Sequence, residues 1–189
     1  MNKIITISRE FGSGGRTIGR ETAKKLNIPC YDQELIEKVQ KESGFTKEYI
    51  DKNGENASTS ILNSMFGTTF GRDIVWTSQC KVISRLAEEG PCVIVGRCAD
   101  YVLREKAELL KVFIHASYEK RAERIVTLYG ESDTAIEKRI KEKDKRRSAY
   151  YKYYTEIEYG DARNYDVALD SGKLGIEKCV EIITDLYKN

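Results

Sequence analysis

The sequence predicts an α/β protein, a three-layer α/β/α sandwich around a five-stranded parallel sheet. Three observations carry this expectation. Five short apolar runs, at 3–7, 28–31, 92–95, 110–114 and 165–169, are separated by stretches of helical periodicity. The first two runs and the helix between them form a βαβ unit, whose short connections imply parallel strands and a right-handed crossover. Each run also ends on polar or glycine-rich residues: Ser8–Thr17, Asp32, Gly96-Arg97, His115 and Asp170-Ser171. A parallel sheet gathers such ends along one edge, where ligands bind in this class of fold.

Taken in order, Lys3–Ile7 is a strand apolar enough to be buried on both faces. The helix over 17–26 carries Ile18, Thr22, Ala23 and Leu26 on one stripe and stops at Asn27. Ile28–Tyr31 is a short strand, and Leu35, Ile36 and Val39 mark a helix from Gln33 to about Lys41. The stretch 42–72 differs in kind. Gly44, Gly54, Gly67, Gly71 and the polar run Asn56-Ala57-Ser58-Thr59-Ser60 predict short helices and loops outside the sheet. A helix over 73–89 is stopped by Gly90-Pro91, and the almost purely apolar Cys92–Val95 reads as the strand at the sheet's centre. A helix over 99–103, a strand over 110–114 and a helix over 118–129 follow. Residues 134–154 read as one long helix or two closely joined ones. The chain closes with a strand over 165–169, a turn at Asp170-Ser171-Gly172, and a helix over 174–187 striped by Ile176, Val180, Ile183 and Leu186.

At 189 residues the expectation is one compact domain that buries roughly 70% of its extended-chain surface. The 32 basic and 30 acidic residues leave a net charge of +2, which argues against a bulk nucleic-acid binder. Five cysteines without a CxxC pair read as reduced thiols and offer no metal spacing. No apolar run approaches the ~20 residues of a membrane span, and the opening strand is too short for a signal peptide. A cytoplasmic protein is expected, with small-molecule partners and with neither nucleic acid nor membrane among them.

The stretch Ser8-Arg9-Glu10-Phe11-Gly12-Ser13-Gly14-Gly15-Arg16-Thr17 carries the chemistry. A strand that empties through glycines into a helix start lets backbone N–H groups converge, and the helix dipole adds positive potential. The phosphate-binding loop G-x-x-x-x-G-K-[ST] is built this way, but this chain lacks its lysine. The signature fits in two registers. In one, Gly15-Arg16-Thr17 stands for G-K-T, Arg16 replacing the lysine and Thr17 keeping the magnesium-binding hydroxyl. In the other, Gly15 occupies the lysine position and Arg9 or Arg16 brings the charge from elsewhere. Arg97, after the glycine that ends an apolar strand, faces the ligand crevice or forms an ion pair with a neighbouring acid. The basic run 138–147 has the charge of a lid that closes over transferring phosphates, or of an ordinary solvated helix face. The tyrosines at 150–154 are expected to pack against the body, and the single histidine, His115, to be structural.

Together these residues resemble the cytidylate kinase-like family of P-loop nucleoside monophosphate kinases. The blocks are 5–19, Tyr31–Ile36, Val93–Arg97, Lys111–Ser117 with Arg121-Ala122-Glu123-Arg124, Ile140–Asp144, and Leu169–Ser171 with Leu174–Glu177, all in the family's order. The chain departs from the family pattern at the lysine, and Val95 and Cys98 stand where acidic residues flank the glycine-arginine pair. The resemblance implies a P-loop kinase fold spanning 1–189, with a helical acceptor-binding excursion at about 33–72 and a basic lid at about 132–160. It implies transfer of the ATP γ-phosphoryl group, with Mg²⁺, to CMP or dCMP. In that reading Arg9, Gly12, Ser13, Gly14, Gly15, Arg16 and Thr17 hold the donor phosphates, and Thr17 also holds the metal. Asp32 and Arg97 contact the acceptor; Arg16, Arg139, Lys143, Arg146 and Arg147 act on the transferring group. The alternatives are a nucleotide-binding protein of the same fold with little activity, or a kinase for another small metabolite.

Overall fold

β1 (Lys3–Arg9) is the middle strand of a five-stranded sheet in the order β2-β3-β1-β4-β5, every pair parallel. The computed structural model describes residues 3–55, 69–130 and 134–189. The other strands are β2 (Cys30–Tyr31), β3 (Cys92–Val95), β4 (Glu108–His115) and β5 (Val167–Asp170). The expected central strand, Cys92–Val95, is therefore corrected to a neighbour of the centre. It is fully buried because both sheet faces are covered, and its purely apolar character reports that burial rather than a middle position. β2 is shorter than expected, since Pro29 has no N–H and contributes only its carbonyl, which accepts from Val93 N at 2.9 Å.

Among the described residues the α-helices are α1 (Gly15–Leu26), α2 (Gln33–Ser43), α3 (Lys47–Asn53), α4 (Thr69–Glu89), α5 (Ala99–Val102), α6 (Tyr118–Tyr129), α7 (Ile136–Thr155) and α8 (Ser171–Lys188). Strand alternation sends Ile5 and Ile7 to one face, where Ile18 and Ala23 of α1 and Cys179, Val180 and Ile183 of α8 cover them. Ile4 and Ile94 face the other way, under Leu35 and Val39 of α2 and Val82, Ile83 and Leu86 of α4. This is the predicted three-layer sandwich.

Two local expectations change, and an open alternative is decided. α1 starts at Gly15, two residues early, because Gly14 takes the left-handed conformation that ends the loop (φ 82°). The expected turn at Asp170-Ser171-Gly172 is the start of α8: the Asp170 carboxylate caps it by accepting from Gly172 N and Lys173 N, and Gly175 breaks its first turn. Residues 136–155 form one helix rather than two. Of the excursion, α3 and the start of α4 lie outside the sheet, while the polar run at 56–60 lies outside the described residues. Among the described residues no helix is long and apolar enough to cross a membrane.

α7 is fastened at its C-terminal half. Tyr150 and Tyr151 are buried against Cys98, and Tyr154 stacks on Trp76 of α4 with ring centroids 4.2 Å apart. The Tyr151 hydroxyl donates to Asp100 at 2.8 Å. Of the tyrosines expected to pack against the body these three do, while Tyr153 is exposed, and the three hold the basic half of α7 over the sheet edge.

Candidate functional site

The loop between β1 and α1 is shaped by two glycines at positive φ, Gly12 (81°) and Gly14 (82°). α1 begins with no side-chain cap and no carboxylate in its first turn, so its leading N–H groups open onto a cavity of about 280 Å³. Gly12, Gly14, Gly15, Arg16 and Thr17 line that cavity, with Arg9 and Arg124 on one side and Lys143 and Arg147 of α7 on another. Ser13 is buried beneath it, its hydroxyl donating to Glu10 O at 2.9 Å.

The position of Gly15 bears on the missing lysine. A Cβ on Gly15 would sit 2.7 Å from Arg9 Cβ and 3.1 Å from Arg9 Cγ, so the stem of Arg9 fills the space that a side chain at 15 needs. Because Cβ is fixed by the backbone, a side chain at 15 clashes with Arg9 whatever rotamer Arg9 adopts. Arg16 turns away from the loop: its Nε lies 2.5 Å from Asp32 Oδ2, with Arg20 at 4.0 Å from the same oxygen. Thr17 is exposed at the cavity wall.

Arg9 itself runs to the next strand end. Its guanidinium passes over Gly96, where a Cβ would lie 2.0 Å from Nη1, and meets Glu55 at 2.7 Å. Arg97 Nε is 3.4 Å from the same carboxylate and Arg147 Nε 3.3 Å. Three guanidiniums thus converge on one buried carboxylate. Tyr159 holds the Arg9 backbone, donating to its carbonyl at 2.8 Å and accepting from its N–H at 2.9 Å. Burial alone would raise the pKa of Glu55, but Arg9, Arg97 and Arg147 outweigh it and hold the carboxyl at about 2. Arg147 moves the other way: burial, and then the charge of Arg9, lower its pKa. Lys143 is lowered by burial and by Arg146 and Arg147.

A second set of contacts ties α7 and α6 to the loop. Phe11 N–H donates to Asp144 Oδ1 at 2.7 Å, and Arg121 meets Asp144 Oδ2 at 2.5 Å. Arg124 donates to Gly12 O at 2.9 Å. Of the predicted site residues, Arg9, Gly12, Gly14, Gly15, Arg16, Thr17, Lys143 and Arg147 share one cavity. Asp32, Arg97, Arg139 and Arg146 do not line it: Asp32 pairs with Arg16, Arg97 shares Glu55 with Arg9, and Arg146 faces Glu142 at 3.9 Å. Glu55 and Tyr159 escape the sequence reading, and Asp144 enters it only within the block Ile140–Asp144, with no role of its own. Glu55 lies in the glycine-broken excursion, where no periodicity marks a residue, and Asp144 was one acid in a charged run.

With this geometry in hand, residues 4–173 match the cytidylate kinase-like family. The chain belongs to that family. A cytidylate kinase of Pyrobaculum islandicum is 26% identical over 187 residues, covering 96% of this chain and 91% of its own length. A structure of an uncharacterized protein from Eubacterium ventriosum superposes with a TM-score of 0.76 at 27% identity, covering 98% of both chains. The shikimate kinase of Bacteroides thetaiotaomicron, at 14% identity and a TM-score of 0.59, shares the fold. As a cytidylate kinase-like family member with a P-loop kinase fold, the chain is a phosphotransferase of the nucleotide- and small-metabolite-kinase type.

Proposed function

We propose that this chain moves the γ-phosphoryl group of ATP to a nucleoside monophosphate, CMP or dCMP. The observation that carries the proposal is that Arg9 and Arg147 line both the glycine-loop cavity and the buried space around Arg97. Two anion stations share a pair of cations, which is the arrangement that transfer between two phosphates requires. The names of the curated relatives, cytidylate kinases, supply the acceptor.

The residues fit a triphosphate. The open N–H groups of α1 and the Gly12–Gly14 turn hold phosphate oxygens, with Arg124 and Lys143 beside them. Mg²⁺ takes oxygen ligands and keeps waters and substrate phosphates in its shell. Thr17 and the nucleotide's own oxygens would hold it, since the Asp32 carboxylate already faces Arg16 and Arg20. Bound there, the metal supplies charge neutralisation. Arg97 orients the acceptor phosphate, and Arg9 and Arg147 lie between the two sites to meet the charge that develops on transfer. The acceptor oxygen is already ionised, so no general base is needed; the work of the protein is alignment and water exclusion. α7 is the lid in this account, and the helices at 33–53 border the acceptor.

Release of ADP from ATP–Mg²⁺ tests the proposal across CMP, dCMP, UMP, AMP and cytidine. Turnover with CMP or dCMP should exceed that with ATP alone, and Arg97→Ala should lower kcat/KM by about 100-fold or more. If no monophosphate raises turnover, the nucleotide-kinase reading fails. A second reading, a nucleotide-binding protein of low activity, is favoured by the filled space at Gly15. It predicts that ATP–Mg²⁺ raises the melting temperature while no acceptor is phosphorylated.

A further inference from the structure

Around Glu55, three guanidiniums and one carboxylate leave two positive charges in a buried space. Among the described residues, the other carboxylates that act on Arg9 and Arg147 face arginines outside the cluster, and buried Asp100 accepts from Tyr151. Asp32, which acts on Arg9, faces Arg16 and Arg20; Asp144, which acts on Arg147, faces Arg121. Arg97 is 7% exposed, and its Nη1 has no hydrogen-bond partner among the described residues. A buried, unpaired guanidinium nitrogen in a cluster of net charge +2 calls for an anion of higher charge than a carboxylate. Phosphate has that charge and the oxygens for several guanidinium forks at once.

There is no room to add one. The space bounded by Arg9, Glu55, Arg97 and Arg147 is about 10 Å³, room for at most one water. An anion can enter only where Glu55 now sits. Glu55 is placed to leave, because it lies two residues beyond the end of α3 (Lys47–Asn53), joined to it by Gly54. α3 itself stays anchored through buried Ile50.

We propose that Glu55 is an exchangeable internal anion: a dianionic phosphate displaces its carboxylate from Arg9, Arg97 and Arg147, and the Gly54-Glu55 turn swings out. Resting on the kinase reading above, this selects acceptors that carry a phosphomonoester over neutral hydroxyl acceptors, which cannot compete with a carboxylate for three arginines. It also keeps the arginines paired until the acceptor arrives.

Thermal unfolding of the full chain and of Glu55→Gln, titrated with inorganic phosphate against chloride at matched ionic strength, tests the exchange. The glycine loop is the same in both proteins, so the difference between them reads the cluster. Glu55→Gln should melt lower without phosphate and should half-saturate at a phosphate concentration at least 10-fold below that of the wild type. Equal or weaker phosphate binding by the variant makes Glu55 a fixed scaffold and overturns the proposal. Should the variant not fold, hydrogen exchange on the wild type decides. Phosphate should speed exchange at Gly54 and Glu55, read as the difference between peptides that include and exclude them, and unchanged or slowed exchange there defeats the idea. CMP should act as phosphate does and cytidine should not. Absence of CMP phosphorylation with the exchange intact would remove the kinase reading alone.

Discussion

Arg9 is the residue on which the loop turns. Its stem covers Gly15, its guanidinium crosses Gly96, and its backbone is held by Tyr159, so one side chain joins the glycine loop to the arginine cluster. A side chain introduced at 15 must therefore push the backbone at Arg9 or at the start of α1 aside. Gly15→Lys is expected to destabilise the fold by about 1–3 kcal/mol in urea denaturation, as overpacked sites do. Arg9→Gly carries its own loss, since it unpairs Glu55, but the double variant should be at least about 1 kcal/mol more stable than the sum of the two single losses predicts, a coupling that additive, independent sites would not show. At this scale the sequence was only half legible. The missing lysine and the two candidate arginines could be read directly, but their division of labour depends on where the Arg9 stem lies. Arg16 and Arg9 look equivalent in the chain, yet one turns to Asp32 and the other to Glu55.

Among the elements, α7 carries the strongest functional expectation. Its C-terminal half is packed through Tyr150, Tyr151 and the Trp76–Tyr154 stack, while its basic half meets the loop through Asp144. The two halves should respond separately. Asp144→Asn removes the charge that faces Arg121 and weakens the bond to Phe11 N–H, a loss of about 1–3 kcal/mol for a hydrogen-bonded charged group. Hydrogen exchange in 136–147 should speed up, while the emission of Trp76, the chain's one tryptophan, stays unchanged. A shift in that emission would mean that the helix moves as one rod. The helix itself was plain in the sequence. Which of its cations turn inward was not, because the run 138–147 is charged on every face. Arg147 is held at Glu55 and Arg146 faces Glu142 at 3.9 Å, although they are adjacent in the chain.

For the molecule as a whole, the buried cluster sets a pH dependence. Glu55 is held at about 2 in the folded chain, against an ordinary value of 4.5. Between those values the folded state binds fewer protons than the unfolded state, so stability rises with pH through that window. The contribution is fully present above about pH 4.5 and is lost as the pH falls toward 2; it amounts to about 3 kcal/mol. Urea denaturation of the wild type and Glu55→Gln should show a stability difference that shrinks across this window. A difference that stays constant would mean that the carboxyl is not held ionised by the arginines.

Strand and helix periods, glycines at strand ends and the order of the blocks were enough to determine the layers, the parallel sheet and the edge where the site lies. Those are properties of local pattern, since a side-chain period and a turn residue act within a few positions. What only the tertiary structure decided is long-range: that β1 rather than β3 is central, that Arg9 takes the space beside Gly15, and that Glu55 gathers arginines from β1, α7 and the end of β3. Burial and Coulomb attraction act through space and ignore sequence separation, so a lone glutamate in a glycine-broken excursion carries no mark of its role until the chain is folded around it.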